Sequence, residues 1–105
     1  MIHYNVYFTF KAGCDDATEL PKVRAFLDLL KSLGKLHDYR LLKNRGTRPK
    51  SRLSSYQAIA QFKDGEQFGL PFAFVAETGV HSGKHGAMIE NVDEFIVEVF
   101  EEMPA

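Results

Sequence analysis

The sequence predicts an α+β sandwich in which a four-stranded antiparallel sheet carries two helices on one face. Residues 2–11 and 54–63 alternate apolar and polar side chains with the period of two that is typical of half-buried strands. Residues 20–33 instead repeat apolar side chains every three or four positions, as an amphipathic helix does. With a second helix and two further strands, the predicted order is βαββαβ within a single domain of residues 1–105.

The first strand and the first helix follow from residues 2–34. Along residues 2–11 the even-numbered side chains are apolar or aromatic, and most odd-numbered ones are polar. Asp16 and Glu19 have capping-box spacing, and Pro21 predicts that the regular helix begins close to Thr18. Gly34 is suited to the position just after the last turn of the helix.

The remaining elements are predicted from residues 36–102. Strands are expected over 36–45 and 54–63, with a polar loop over 45–52 between them. Asp64 can cap a second helix, whose regular part is expected to begin only near Leu70, because Gly69 and Pro71 weaken the preceding turn, and to end at Gly79. Residues 80–91 are expected to form a loop, and residues 92–102 a last strand.

This order predicts a ferredoxin-like topology with the first and third strands in the centre of the sheet. The even-numbered side chains of both strands would then face the helices. The opposite face would present polar groups, which are the candidate ligand-binding residues His3, Asn5, Tyr7, Arg40, Gln57 and Gln61. Leu42, Phe95, Val97 and Val99 are candidates to flank them, although the pattern leaves the facing of the second and fourth strands open.

Charge placement on the two predicted edge strands favours a homodimer. Six bases lie in or just after the second strand, namely Arg40, Lys43, Arg45, Arg48, Lys50 and Arg52. Six acids lie in or before the fourth, namely Glu90, Asp93, Glu94, Glu98, Glu101 and Glu102. Edges of opposite charge can pair between two protomers, which also closes edges that are otherwise open. The alternative is that each charged run is a solvated edge.

Net charge and cysteine content restrict which binding partners and which cellular compartment are expected. The net charge of −1 gives no electrostatic bias toward nucleic acid or an anionic membrane, so neither is expected as a partner. The single cysteine, Cys14, excludes an internal disulfide and fits a reducing cytoplasm. No signal peptide or membrane-spanning apolar run is predicted.

Several short segments resemble a small bacterial family without assigned function. They are His3-Tyr4-Asn5-Val6-Tyr7-Phe8, Tyr39-Arg40-Leu41, Asp93-Glu94-Phe95 and Phe100-Glu101-Glu102-Met103-Pro104. More broadly, the chain resembles the dimeric α+β barrel superfamily, in which two ferredoxin-like domains pack sheet to sheet. This resemblance implies a homodimer. Members of the superfamily include cofactor-free monooxygenases, small-acid isomerases, haem-binding decomposition enzymes and stress proteins of unknown role. The resemblance assigns no catalytic residue.

One histidine pair is a candidate metal site. His81 and His85 are four residues apart, a spacing that on a helix lets two imidazoles share a metal. Gly83 and Gly86 argue against a regular helix there, and no third ligand is marked. A solvated loop is therefore the favoured interpretation of this segment, and no metal or other cofactor is expected.

Three functions follow in order of preference. The first is a non-catalytic homodimer that binds a small apolar or aromatic molecule on the polar sheet face. The second is a cofactor-free monooxygenase or isomerase, with His3 or His81 as the base and Asn5, Tyr7 or Arg40 orienting the substrate. The third is a metal-binding protein that uses His81 and His85.

Overall fold

The computed structural model describes residues 1–46 and 54–104, and these form a four-stranded antiparallel sheet and three helices. The strands are β1 (Ile2–Phe10), β2 (Asp38–Lys43), β3 (Tyr56–Phe62) and β4 (Val92–Glu101), and the helices are α1 (Asp16–Ser32), α2 (Gly65–Thr78) and α3 (Gly83–Ile89). The strand order is β2-β3-β1-β4. The predicted α+β fold and the central position of the first and third strands are therefore confirmed.

The hydrophobic core lies between the helices and one face of the sheet, which we call the covered face. The even-numbered residues of β1 and β3 point into it, and Phe8, Phe62 and the α1 residue Leu30 are almost fully buried. From α2, the rings of Phe68 and Phe72 both pack against Tyr4 of β1. The two predicted helices thus cover the same face of the sheet.

Helix α1 begins two residues earlier than the sequence predicts. Asp15 is the N-cap: its carboxylate accepts hydrogen bonds from the Ala17 amide at 3.2 Å and the Thr18 hydroxyl at 3.0 Å. At the other end Gly34 has a φ of +72°, a conformation that favours glycine, so its predicted position after the last turn is confirmed.

Helix α2 also begins earlier than expected, at Gly65 rather than near Leu70. The Asp64 carboxylate accepts from the Gln67 amide at 2.9 Å, and the Gln67 side chain accepts from the Lys63 amide at 2.7 Å. This reciprocal cap satisfies backbone donors that the first turn leaves without partners. The cap and the packing of Phe68 outweigh the helix-breaking tendency of Gly69 and Pro71.

The prediction of a loop over residues 80–91 is wrong, because residues 83–89 form α3. This short helix packs against α1, where the His85 ring meets Phe26 edge-on at 5.0 Å, and Met88 adds to the core. At Gly86, a Cβ atom would overlap the backbone carbonyl of His81. The glycine that argued against a helix is therefore required by close packing inside one.

Strand β4 is an edge strand whose two faces are both largely exposed. Directly paired residues share a face, and β1 pairs Tyr4 with Val99, Val6 with Val97 and Phe8 with Phe95. These three β4 side chains consequently point to the covered side. The prediction that they flank the polar face is wrong.

Candidate functional site

The opposite, odd-numbered face of β1, which we call the open face, gathers all six candidate ligand-binding residues. Register places them in three cross-strand rows: Asp38–Gln61–His3–Phe100, Arg40–Ile59–Asn5–Glu98 and Leu42–Gln57–Tyr7–Ile96. Each row runs from β2 through β3 and β1 to β4, and all its members share one face. The open face is therefore a grid with polar side chains at its centre.

The centre of this grid is a small hydrogen-bonded network. The Gln57 Nε2 group donates to Asn5 Oδ1 at 3.0 Å and lies 3.3 Å from the Tyr7 hydroxyl oxygen. Asn5 is only 7 % exposed, and its own Nδ2 lies 3.4 Å from the Glu98 carbonyl oxygen. Amides that are bonded to one another, with one of them buried, present a fixed set of neutral donors and acceptors.

His3, at one end of the grid, has a carboxylate partner. Its Nε2 lies 3.2 Å from Glu102 Oε1, and the Met1 ammonium is 3.6 Å from the second oxygen of the same carboxylate. The hydrogen bond from His3 lowers the pKa of Glu102, and the nearby ammonium acts in the same direction. Sequence reasoning missed Glu102 as a partner of His3, although the antiparallel pairing of the first and last strands brings the two together.

Large apolar side chains border the polar centre. Leu42 on β2 is 45 % exposed, and Ile96 and Phe100 on β4 are 47 % and 58 % exposed. Rows of the grid place all three on the open face, which confirms the position of Leu42 and adds the other two. The open face therefore combines a polar centre with exposed apolar side chains at both edges.

A depression of about 250 Å³ lies at the β2–β3 end of the open face. Tyr7, Leu42 and Gln57 line it together with the loop-side residues Lys43, Asn44, Arg45, Ser54 and Tyr56. The Tyr56 hydroxyl donates to the Asp16 carboxylate, and this bond raises the pKa of Tyr56 to about 12. The polar tip of Tyr56 is thus held by α1, and its ring packs against Phe8 and Phe10 in the core.

The two candidate metal ligands are not brought together with further ligands. His85 Nδ1 lies 2.6 Å from the Val80 carbonyl oxygen, and its ring packs on Phe26, so this imidazole has structural partners. His81 is exposed just before α3. Within residues 1–46 and 54–104, three or more His, Cys, Asp or Glu side chains nowhere come close enough to hold a metal ion. The geometry gives the metal hypothesis no support.

Half of the basic run and the single cysteine were also singled out in the sequence. Arg48, Lys50 and Arg52 of the basic run lie outside the described residues. Cys14 is partly buried beside the core and is a free thiol.

None of the helices in the described part of the chain combines the length and the apolar character needed to cross a bilayer.

The fold and the grid of polar and apolar side chains define a ferredoxin-like α+β domain with one helix-free sheet face. The chain belongs to a family of unknown function, DUF6614, whose family model matches residues 1–105. A comparison with curated proteins found no match.

Solved structures show the same fold at low sequence identity. The Arabidopsis thaliana protein At3g17210 is 10 % identical with a TM-score of 0.76, over 100 % of this chain and 98 % of that one. A dimeric ferredoxin-like protein of unknown function from Jannaschia sp. CCS1 is 20 % identical with a TM-score of 0.67, over 97 % and 100 %. An antibiotic biosynthesis monooxygenase is 11 % identical with a TM-score of 0.67, over 99 % and 100 %.

Proposed function

We propose that the protein is a homodimer in which two open faces pack together and hold a small, largely apolar molecule with one polar group. The observation that carries the proposal is the composition of the grid, where the hydrogen-bonded amides of Asn5 and Gln57 are bordered by exposed Leu42, Ile96 and Phe100. Small-ligand sites combine apolar walls with a few fixed polar groups in this way.

Dimerisation is supported by what the open face would otherwise expose. Ile96 and Phe100 are about half exposed although they are large and apolar, and a second sheet would remove that surface from water. Sheets packed face to face lie about 10 Å apart, a distance that the side chains of both protomers fill. A small molecule between them would therefore occupy the depression at the β2–β3 end of the open face. The Jannaschia protein of the same fold is itself described as dimeric.

Two aspartate substitutions on β4 provide a matched test of the dimer. Phe100 lies on the open face and Phe95 on the covered side, with exposed fractions of 58 % and 65 %. We expect F100D to shift the protein toward a monomer at micromolar concentration in sedimentation equilibrium, because a charge at the interface must be desolvated. F95D should leave the dimer constant unchanged. A monomeric wild-type chain, or equal effects of both substitutions, would contradict the dimer.

Ligand binding is tested with 2-naphthol, a neutral aromatic probe with one hydroxyl group. Titration into isotope-labelled protein should shift the side-chain amide resonances of Asn5 and Gln57, because their fixed polar atoms face the cleft. Q57A should weaken the effect, while Q67A, a substitution in the α2 cap, should not. Shifts restricted to residues outside the open face, or no shifts at millimolar 2-naphthol, would refute a cleft of this chemistry.

A second candidate function is a cofactor-free monooxygenase, and the His3–Glu102 pair specifically favours it. A carboxylate that orients an imidazole is a common arrangement for a general base. The monooxygenase of the same fold gives this chemistry a precedent on the scaffold. In this mechanism His3 removes a proton from an activated carbon of the substrate, and the resulting carbanion reacts with dioxygen.

Anthrone tests this second function, because its oxidation by one dioxygen produces one anthraquinone and one water. Wild-type protein should consume dioxygen and form anthraquinone in a one-to-one ratio above the protein-free rate. H3Q should abolish the excess, and E102Q should reduce it by about tenfold or more. A wild-type rate equal to that of H3Q would exclude His3 as a base for this reaction.

The compartment and the remaining partners also belong to the proposal. The free thiol of Cys14 supports a reducing cytoplasm. The near-neutral net charge supports small-molecule rather than nucleic-acid binding.

A further inference from the structure

We infer that the two-fold axis of the homodimer runs parallel to the strands, so that β2 of one protomer lies over β4 of its partner. Arg40 then meets the partner's Glu98, and this pair occurs twice. The inference rests on the proposed dimer but goes further, since it fixes which residues meet.

The grid on the open face aligns the two edge strands residue by residue. Its rows place a β2 residue and a β4 residue at the same height along the strands, on opposite edges of the open face. In the middle row those two are Arg40 and Glu98, and in a neighbouring row they are Leu42 and Ile96. Three strand spacings separate the two edges, roughly 14 Å, so Arg40 and Glu98 do not pair within one protomer.

Two-fold symmetry limits how two such sheets can face each other. A two-fold axis that places two sheets face to face must lie in the plane between them, and its two limiting directions are along or across the strands. An axis along the strands keeps each row opposite itself and exchanges its ends. An axis across the strands keeps each strand opposite itself and exchanges the outer rows.

The two arrangements differ in the contacts they create. With the axis along the strands, Arg40 meets the partner's Glu98, Leu42 meets the partner's Ile96, and Gln57 meets the partner's Tyr7. With the axis across the strands, Arg40 meets the partner's Arg40, Glu98 meets the partner's Glu98, and Leu42 meets the partner's Asp38. Only the first arrangement brings opposite charges together, although it also sets Asp38 against the partner's Phe100. The second arrangement pairs Ile96 with the partner's Phe100, but it sets like charges against each other at both edges.

The twist of real sheets does not remove this difference. Sheets packed face to face cross at about 30°, which moves residues on the edge strands past one another by roughly 4 Å, about one residue. Arginine and glutamate side chains are long enough to bridge that displacement. The Asp38 carboxylate is already bonded to Lys31 Nζ at 3.1 Å and to the Tyr39 amide at 2.8 Å within its own protomer.

Charge reversal tests the orientation separately from the dimer itself. The dimer constants of wild type, R40E, E98R and the double variant R40E/E98R are measured by sedimentation equilibrium at low salt. Each single reversal creates two like-charge contacts, so we expect it to raise the dimer Kd by about tenfold or more. The double variant restores both pairs and should return to within about threefold of wild type. High salt should shrink all these differences.

Each outcome has a distinct meaning. A wild-type chain that is monomeric in this experiment contradicts the proposed dimer. A wild-type dimer whose constant is unaffected by both single reversals overturns the orientation alone, because like charges would then already face each other. Single reversals that weaken the dimer without rescue by R40E/E98R also overturn it. Circular dichroism of all four chains controls for folding.

Discussion

The two faces of β1 share one backbone but have different chemistry. On the covered face, Phe8 and Phe10 are buried against other aromatic rings and need no hydrogen-bond partner. On the open face, Asn5 is buried to a similar degree yet is surrounded by amide and carbonyl groups. Burial without apolar packing is stable only when polar groups are satisfied, so the open face has a fixed hydrogen-bonding pattern. The covered face specifies the fold, while the open face is available for recognition.

Substituting Phe8 on the covered face and Tyr7 on the open face should give the largest difference in unfolding free energy between the two faces. F8A should lower the free energy of unfolding by about 3–5 kcal/mol, because it leaves a cavity in the core. Y7A removes one hydrogen-bonding partner of Gln57 and should cost about 1 kcal/mol at protein concentrations where the chain is monomeric. Urea denaturation of both variants measures the difference. Equal losses would show that the open face contributes to stability as a second core.

Two glycine substitutions in the helices should change the free energy of unfolding by smaller amounts and in opposite directions. G86A places a methyl group against the His81 carbonyl and should destabilise the protein by about 1–3 kcal/mol. Gly69, inside α2, has open space around it, so G69A should stabilise by about 0.5–1 kcal/mol through helix propensity. Thermal unfolding of the two variants distinguishes close packing from propensity. A neutral G86A would indicate that α3 can shift away from His81.

The last effect concerns pH and involves Tyr56, whose ring packs on the covered face and whose hydroxyl donates to Asp16 of α1. Its pKa is raised from 10.0 to about 12 by the bond to Asp16, so the protonated form is favoured in the folded state. Stability from this bond is complete below pH 10 and is lost as the pH rises through 12. The slope of unfolding free energy against pH in that range should decrease in Y56F and in D16N. An unchanged slope in both variants would contradict the assignment to Tyr56.

The sequence predicted the covered face well because period-two alternation is a direct consequence of strand geometry. Residues 2–11 and 54–63 have that alternation, and both became central strands with the expected facing. Strand β4 carries apolar residues on both faces, so its pattern did not predict which of its side chains point toward the helices. Only the pairing with β1 shows that Ile96 and Phe100 lie on the open face.

The remaining errors have a common cause in tertiary contacts. The segment that became α3 contains glycines that disfavour a helix locally, and it is stabilised by contacts of His85 and Met88 with α1 and the core. Glu102 became relevant to the site only because β1 and β4 are neighbours across a separation of 99 positions. Neither contact has a local signal in the sequence.

The pairing of β1 with β4 has a consequence for how the domain is made. Ile2 lies opposite Glu101, so a strand at the centre of the sheet acquires one of its two neighbours only when the last strand is available. Residues 63–91 separate β3 from β4, so β1 can pair with β3 while its second edge is still open. Closing such a long loop is slow compared with forming local helices. As long as β4 is unpaired, a central strand of the sheet has an open edge at which other chains can pair.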